Sequence, residues 1–65
     1  MFKMKEPKAK FRVGYIVTHD DYPGRNFKIT DKMQDYNGNW RYDLVNVVNP
    51  AVVTSYVREK NLNKR

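Results

Sequence analysis

Residues 27–45, FKITDKMQDYNGNWRYDLV, contain the strongest short hairpin signal in the chain. Asn37-Gly38 favours a tight turn because both residues tolerate the positive φ that such turns require. After the turn, Trp40, Tyr42 and Leu44 alternate with polar residues, which is typical of a strand with one buried face. The pattern predicts strands at 27–33 and 40–45 around a turn at 34–39.

Upstream of this hairpin, the alternation of apolar residues predicts a first strand at 11–18. We expect Phe11, Val13 and Val17 to face inward, and Gly14 to mark a bend or bulge. Residues 19–26 are predicted to form a long loop because Pro23-Gly24 is a turn signal.

Downstream of the hairpin, Asn49-Pro50 signals another turn, and residues 51–57 are rich in the β-branched side chains that favour strands. Residues 58–62 are predicted to form one 3₁₀ turn, with a short fifth strand near Leu62 or one supplied by the first residues. The predicted core comprises Phe11, Val13, Val17, Phe27, Ile29, Tyr42, Leu44, Val53, Val57 and Leu62.

Two short motifs resemble those of small SH3-like barrels. Residues 11–17, FRVGYIV, resemble the opening segment of such barrels, with Tyr15 where the usual aspartate stands. Residues 56–62, YVREKNL, match the Tyr-Val-x-Glu-x-x-Leu closing segment. The resemblance implies an all-β fold, a single SH3-like barrel of about five antiparallel strands, and binding rather than catalysis. The alternative is an OB-like fold or an open sheet with a covering loop.

The same pattern weakly resembles small uncharacterised proteins of phages and prophages. The Ala-Leu-Tyr-Asp-Tyr run of eukaryotic SH3 domains is absent, so polyproline binding is not expected.

Length and composition limit the classes of function. Sixty-five residues allow one domain with a small core, and the absence of cysteine excludes disulfides and thiolate metal sites. We expect a basic flexible arm at 1–10, the barrel at 11–62 and a basic tail at 63–65. Neither a membrane span nor a signal peptide is recognisable, which favours a cytoplasmic protein. We expect no enzyme activity, small-molecule substrate, cofactor or metal, because no catalytic or metal-ligating constellation is present.

The net charge of +6 is concentrated at the two ends of the chain. Residues 1–10 and residues 58–65 each contain four cationic side chains and one glutamate, whereas residues 11–57 contain five of each sign. Charged tails often serve only solubility, but two basic ends that emerge side by side from a barrel favour nucleic acid, bound in a salt-sensitive and non-specific way. The predicted contacts are Lys3, Lys5, Lys8, Lys10, Arg41, Arg58, Lys60, Lys64 and Arg65, with Tyr36 and Trp40 to stack on bases.

Nine aromatic residues exceed what so small a core can bury, so some must be exposed. Exposed tyrosine and tryptophan often anchor protein partners. The alternative function is therefore a protein-interaction module that grips a peptide or partner surface with Asp20, Asp21, Tyr22 and Trp40.

Overall fold

The computed structural model describes residues 8–65, which form an all-β fold. The elements are β1 (Ile16–His19), β2 (Tyr22–Gln34), β3 (Trp40–Asn46), β4 (Val53–Arg58), a 3₁₀ turn (Glu59–Asn61) and β5 (Leu62–Lys64). They make one antiparallel sheet in the order β4-β3-β2-β1-β5. The predicted all-β class, five antiparallel strands and single 3₁₀ turn are confirmed. The sheet is not closed, since β4 pairs only with β3, and β5 only with β1, in this part of the chain.

The prediction of a long loop at 19–26 is wrong. His19 already pairs with Tyr22, so Asp20 and Asp21 form the whole connection, and β2 begins at Tyr22. Gly24, with φ of +81°, supplies a bulge within β2 rather than a turn between strands. Pro23 is tolerated because the first residues of β2 pair with β1 on one side only.

The predicted first strand at 11–18 is shorter than expected. β1 begins at Ile16, and Gly14, with φ of +98°, turns the preceding chain. The Gly14 amide donates to the Ile29 carbonyl, and the Ile29 amide donates to the Tyr15 carbonyl. Because this bend interrupts the alternation, Val13 lies 52% exposed, and its assignment to the core is wrong.

The core is centred on β2 and β3, and eight of the ten predicted residues are buried. Tyr42 packs edge-on against Phe11, with ring centroids 5.6 Å apart. The buried apolar residues are Phe11, Val17, Phe27, Ile29, Tyr42, Leu44, Val57 and Leu62.

The prediction that Val53 belongs to the core is also wrong, because 67% of its surface is exposed. The register of the β3–β4 pair shifts between Tyr42 and Leu44, which face Val57 and Thr54. The bulge adds a residue to β4 at this point and therefore reverses which face the alternating side chains occupy. Val57 points inward, and Val53 points to solvent.

Candidate functional site

A groove of about 490 Å³ lies between the β2–β3 turn and the end of β4. Three segments supply its lining: the turn, the first residues of β3, and the junction of β4 with the 3₁₀ turn. Its lining residues are Asp35, Asn37, Asn39, Trp40, Arg41, Arg58, Glu59 and Lys60.

The turn is organised around the carboxylate of Asp35. Its Oδ1 accepts the amides of Asn37 and Asn39, each at 2.9 Å, and the Asp35 amide donates to the Asn39 carbonyl at 2.8 Å. Gly38 lies at φ of +85°, whereas Asn37 has no positive φ. The Gly38 amide donates to the Asp35 carbonyl at 2.9 Å, so Tyr36 and Asn37 are the central residues of the turn and Gly38 follows them. The Asn39 amide lowers the pKa of Asp35 below its ordinary value despite the opposing effect of burial, and the Asn37 amide and Arg41 lower it further.

The second oxygen of the same carboxylate holds Arg41. Nε and Nη2 of Arg41 both donate to Asp35 Oδ2, at 3.1 and 3.0 Å. The guanidinium also lies over the ring of Tyr56, 5.0 Å from its centroid. Arg41 is therefore held on two sides, by a carboxylate and by an aromatic ring.

Tyr56 occupies the bulge of β4 with an unusual backbone. Its φ is +59°, a left-handed conformation that is uncommon for a residue with a side chain. Its amide donates to Asp43 Oδ1 at 3.0 Å, which satisfies a donor that the bulge removes from the ladder. The bulge thereby places the half-exposed ring of Tyr56 beside Arg41.

Glu59 ties the groove to the core. Its Oε2 accepts the hydroxyl of Tyr42 at 2.6 Å and the amide of Lys10 at 2.8 Å. The Tyr42 hydroxyl in turn accepts the Phe11 amide at 3.2 Å. Burial, followed by the hydrogen bond to Glu59, raises the pKa of Tyr42 to about 12. This network fixes the 3₁₀ turn and brings the chain at Lys10 to the side of the groove.

The remaining cations of the groove are Arg58 and Lys60, which are both exposed. Within residues 8–65 the Arg41–Asp35 contact is the only ion pair, so neither of them is neutralised by a carboxylate. Trp40 is partly buried against the core, and the ammonium of Lys32 lies 5.4 Å from its ring centroid. The groove thus combines exposed cations with an aromatic side chain that packs against the core.

The structure brings together only part of the predicted nucleic-acid set. Trp40, Arg41, Arg58 and Lys60 line the groove, and Lys10 adjoins it through Glu59. Tyr36 is fully exposed in the β2–β3 turn but does not line the groove. Lys8 is exposed, whereas Lys3 and Lys5 lie outside the described residues.

The predicted basic residues of 58–65 are divided between two grooves in the described part of the chain. Lys64 and Arg65 line a different and more open groove of about 480 Å³, together with Tyr15 and Ile16. The Lys64 ammonium lies 5.8 Å from the centroid of the Tyr15 ring.

The residues predicted for the alternative function, a protein-interaction surface, do not lie together. Tyr22 begins β2, whereas Trp40 pairs with Gln34 at the far end of that strand. The turn before Tyr22 is a compact structural unit: the Asp20 amide donates to the Asn61 carbonyl, and the Asn63 amide group donates to Asp20 Oδ1. Trp40 does not share a surface with Asp20, Asp21 and Tyr22.

His19 is buried at the end of β1 rather than part of the predicted loop at 19–26. Its Nδ1 accepts the Asp21 amide at 3.0 Å, and its ring meets Tyr22 and Phe27 edge-on, at 4.9 and 6.3 Å. Within residues 8–65, no group of three or more histidine, cysteine, aspartate or glutamate side chains is placed to hold a metal ion.

Two residues that hold Arg41, namely Asp35 and Tyr56, were not among the predicted site residues. Asp35 precedes Asn37-Gly38 by two positions, where a carboxylate readily caps the amides of the turn, so a local signal for it existed. Nothing in the run of residues 51–57 indicates a left-handed Tyr56, because β4 acquires its bulge only by pairing with β3.

No family model matches the chain, and neither a curated protein nor a solved structure shows significant similarity to it. Among residues 8–65, no helix is long and apolar enough to cross a membrane.

Proposed function

We propose that this protein is a small non-enzymatic module that binds nucleic acid in the groove between the β2–β3 turn and the end of β4. One observation supports this best: two segments distant in sequence, Trp40-Arg41 and Arg58 with Lys60, line one cavity. All four residues belong to the set that the sequence indicated for nucleic acid.

The scaffold we propose is an SH3-like barrel acting in the cytoplasm. The strand order β4-β3-β2-β1-β5, with a 3₁₀ turn between β4 and β5, supports an SH3-like arrangement. A phage or prophage origin is proposed only on the weak resemblance of the chain to small uncharacterised proteins of phages and prophages.

The groove has the chemistry that a phosphate backbone requires. Arg58 and Lys60 are exposed cations, and replacing condensed counterions with such side chains favours binding at low salt. Two carboxylates share the groove, but each is engaged: Asp35 by Arg41 and backbone amides, and Glu59 by Tyr42 and the Lys10 amide. Trp40 adds an aromatic surface of the kind that unpaired bases stack on.

The test is fluorescence anisotropy with a labelled single-stranded oligonucleotide across a salt series. The double variant Arg58→Ala/Lys60→Ala is compared with Arg25→Ala/Lys28→Ala, which removes the same charge from exposed positions of β2 that do not line the groove. If both groove cations contact phosphates, the log–log salt slope for the groove variant becomes shallower by about 1.4. We expect the slope of the control to stay near that of the wild type.

Two outcomes contradict the proposal. Equal losses in both double variants mean that binding depends on overall charge and not on the groove. No binding of wild-type protein at low salt excludes nucleic acid and leaves a protein partner, which pull-down experiments then have to identify.

A further inference from the structure

Arg41 differs from the other cations of the groove in how firmly it is held. Only 19% of its side chain is exposed, and two of its N–H groups donate to Asp35 Oδ2. The Asp35 side chain is itself 8% exposed and anchored by the Asn37 and Asn39 amides. The plane of the guanidinium is therefore fixed before any ligand arrives, and its positive charge is already paired.

Tyr56 covers one side of this guanidinium. The centre of the guanidinium lies 5.0 Å from the ring centroid, within the range of a cation–π contact. The backbone that carries the ring has a left-handed conformation, and the Tyr56 amide donates a hydrogen bond to Asp43 Oδ1. Backbone strain of this kind often occurs where a side chain must be presented in one orientation.

The uncovered part of Arg41 belongs to the groove lining. A guanidinium paired with a carboxylate has little net charge left for a phosphate, but it keeps its flat face. Flat guanidinium faces stack on nucleobases. Arg58 and Lys60 have the opposite character, since they are exposed and no carboxylate is paired with them among residues 8–65.

We infer that Arg41 is the base-stacking platform of this groove, positioned by Asp35 and Tyr56, and that Arg58 and Lys60 bind the flanking phosphates. The ligand is therefore single-stranded, because a duplex hides its base faces inside the stack. This inference rests on the proposed function and divides the groove into a base subsite and a phosphate subsite.

The decisive variant is Asp35→Asn, which preserves shape. The amide oxygen still accepts from Asn37 and Asn39, whereas an NH₂ group replaces the oxygen that holds Arg41. The probes are a thymidine oligonucleotide of about eight nucleotides and an abasic strand with the same number of phosphates. We expect the variant to lose roughly tenfold in affinity for the thymidine strand, at the low end of one stacked base. Affinity for the abasic strand should stay equal or increase, because a negative charge is removed.

Three further variants separate positioning from folding and from simple charge. Arg41→Lys keeps the positive charge but removes the flat guanidinium, so its loss of affinity for the thymidine strand should match that of Asp35→Asn. Tyr56→Asn suits the positive φ but removes the ring, and it should show the same loss specific to the thymidine strand. Asp35→Glu keeps the carboxylate and should recover part of the affinity. The salt slope should not become shallower in any of them, in contrast to Arg58→Ala/Lys60→Ala.

The outcomes distinguish this inference from the proposed function. If Asp35→Asn strengthens binding of both strands equally, Arg41 acts as an ordinary charge and the inference is overturned. If wild-type protein binds neither strand, the proposed function itself fails. If Asp35→Asn does not fold, as judged by its amide NMR spectrum, Tyr56→Asn and Arg41→Lys decide the question with the same two probes.

Discussion

The turns at the two ends of β3 use the same device for different purposes. At the groove end, Asp35 Oδ1 accepts two backbone amides, and at the loop end, Asn46 Oδ1 accepts the amides of Val48 and Asn49 at 2.9 and 3.0 Å. The carboxylate has a second oxygen that holds Arg41, whereas the Asn46 side chain has no charge to pair. The turn capped by the carboxylate of Asp35 borders a polar groove, whereas the turn capped by the amide of Asn46 is an apolar loop.

The loop after β3 is also held by backbone hydrogen bonds, but it lacks charged side chains. The Val47 amide donates to the Asn26 carbonyl, and the Val52 amide to the Asn49 carbonyl, at 3.0 and 2.9 Å. No charged residue occurs from 44 to 57. Exposed valines therefore dominate this end, namely Val47, Val48, Val52 and Val53. Backbone hydrogen bonding alone therefore does not make the groove a candidate site, since the charge pattern distinguishes the two ends.

The largest loss of stability should come from a substitution in the core, which both ends of β3 share. Leu44 is buried in the middle of β3, so Leu44→Ala should lower the free energy of unfolding by about 2–5 kcal/mol. Chemical denaturation followed by Trp40 fluorescence measures the loss, and Val45→Ala, at the half-buried neighbouring position, is the control. Equal losses in the two variants would contradict the assigned core face.

Tyr42→Phe removes the link between the groove end and the core. Loss of a hydrogen bond to a charged partner should cost about 1.5–3 kcal/mol of unfolding free energy at neutral pH. Chemical denaturation of both proteins measures this difference.

The same variant has a pH signature. The folded-state pKa of Tyr42 is about 12, and the unfolded-state value is about 10. The unfolded protein therefore loses this proton first, so the contribution of Tyr42 is complete below about pH 10 and declines as the pH rises towards 12. Denaturation midpoints across that range should fall more steeply for wild type than for Tyr42→Phe, and parallel curves would refute the assignment.

Asn46→Ala tests whether the two ends are independent. It leaves the amides of Val48 and Asn49 without their acceptor, and we expect a loss of about 1–2 kcal/mol in unfolding free energy. Oligonucleotide affinity should not change, because the loop lies at the other end of β3. A drop in affinity comparable to that of Arg58→Ala/Lys60→Ala would show that the ends are coupled.

The smallest effect is expected at the tip of the loop. Val48 is 88% exposed, so Val48→Ser should change the unfolding free energy by less than about 0.5 kcal/mol. Oligonucleotide affinity should also stay at the wild-type level in the anisotropy assay. A larger loss in thermal or chemical denaturation would mean that Val48 is buried in solution, and the contrast between the two ends would then fail.

Local patterns in the sequence were sufficient to predict the β2–β3 hairpin and most of the core. Asn37-Gly38 specified the turn because few residues accept the positive φ that Gly38 adopts. The alternation of apolar and polar residues identified Tyr42 and Leu44 as buried, because successive side chains of a strand point to opposite faces. Of the groove residues, Trp40, Arg41, Arg58 and Lys60 could be named from charge and aromatic character alone.

Strand pairing determines where the alternation of buried and exposed residues changes phase and which of the groove residues come together. The bulge at Tyr56 arises when β4 pairs with β3, and it turns Val53 outward although the local pattern predicts it inside. The contact of Asp35, Arg41 and Tyr56 likewise joins three segments through strand pairing. Periodicity reports the faces of one strand, whereas register and bulges depend on the partner strand, so no local stretch of sequence contains them.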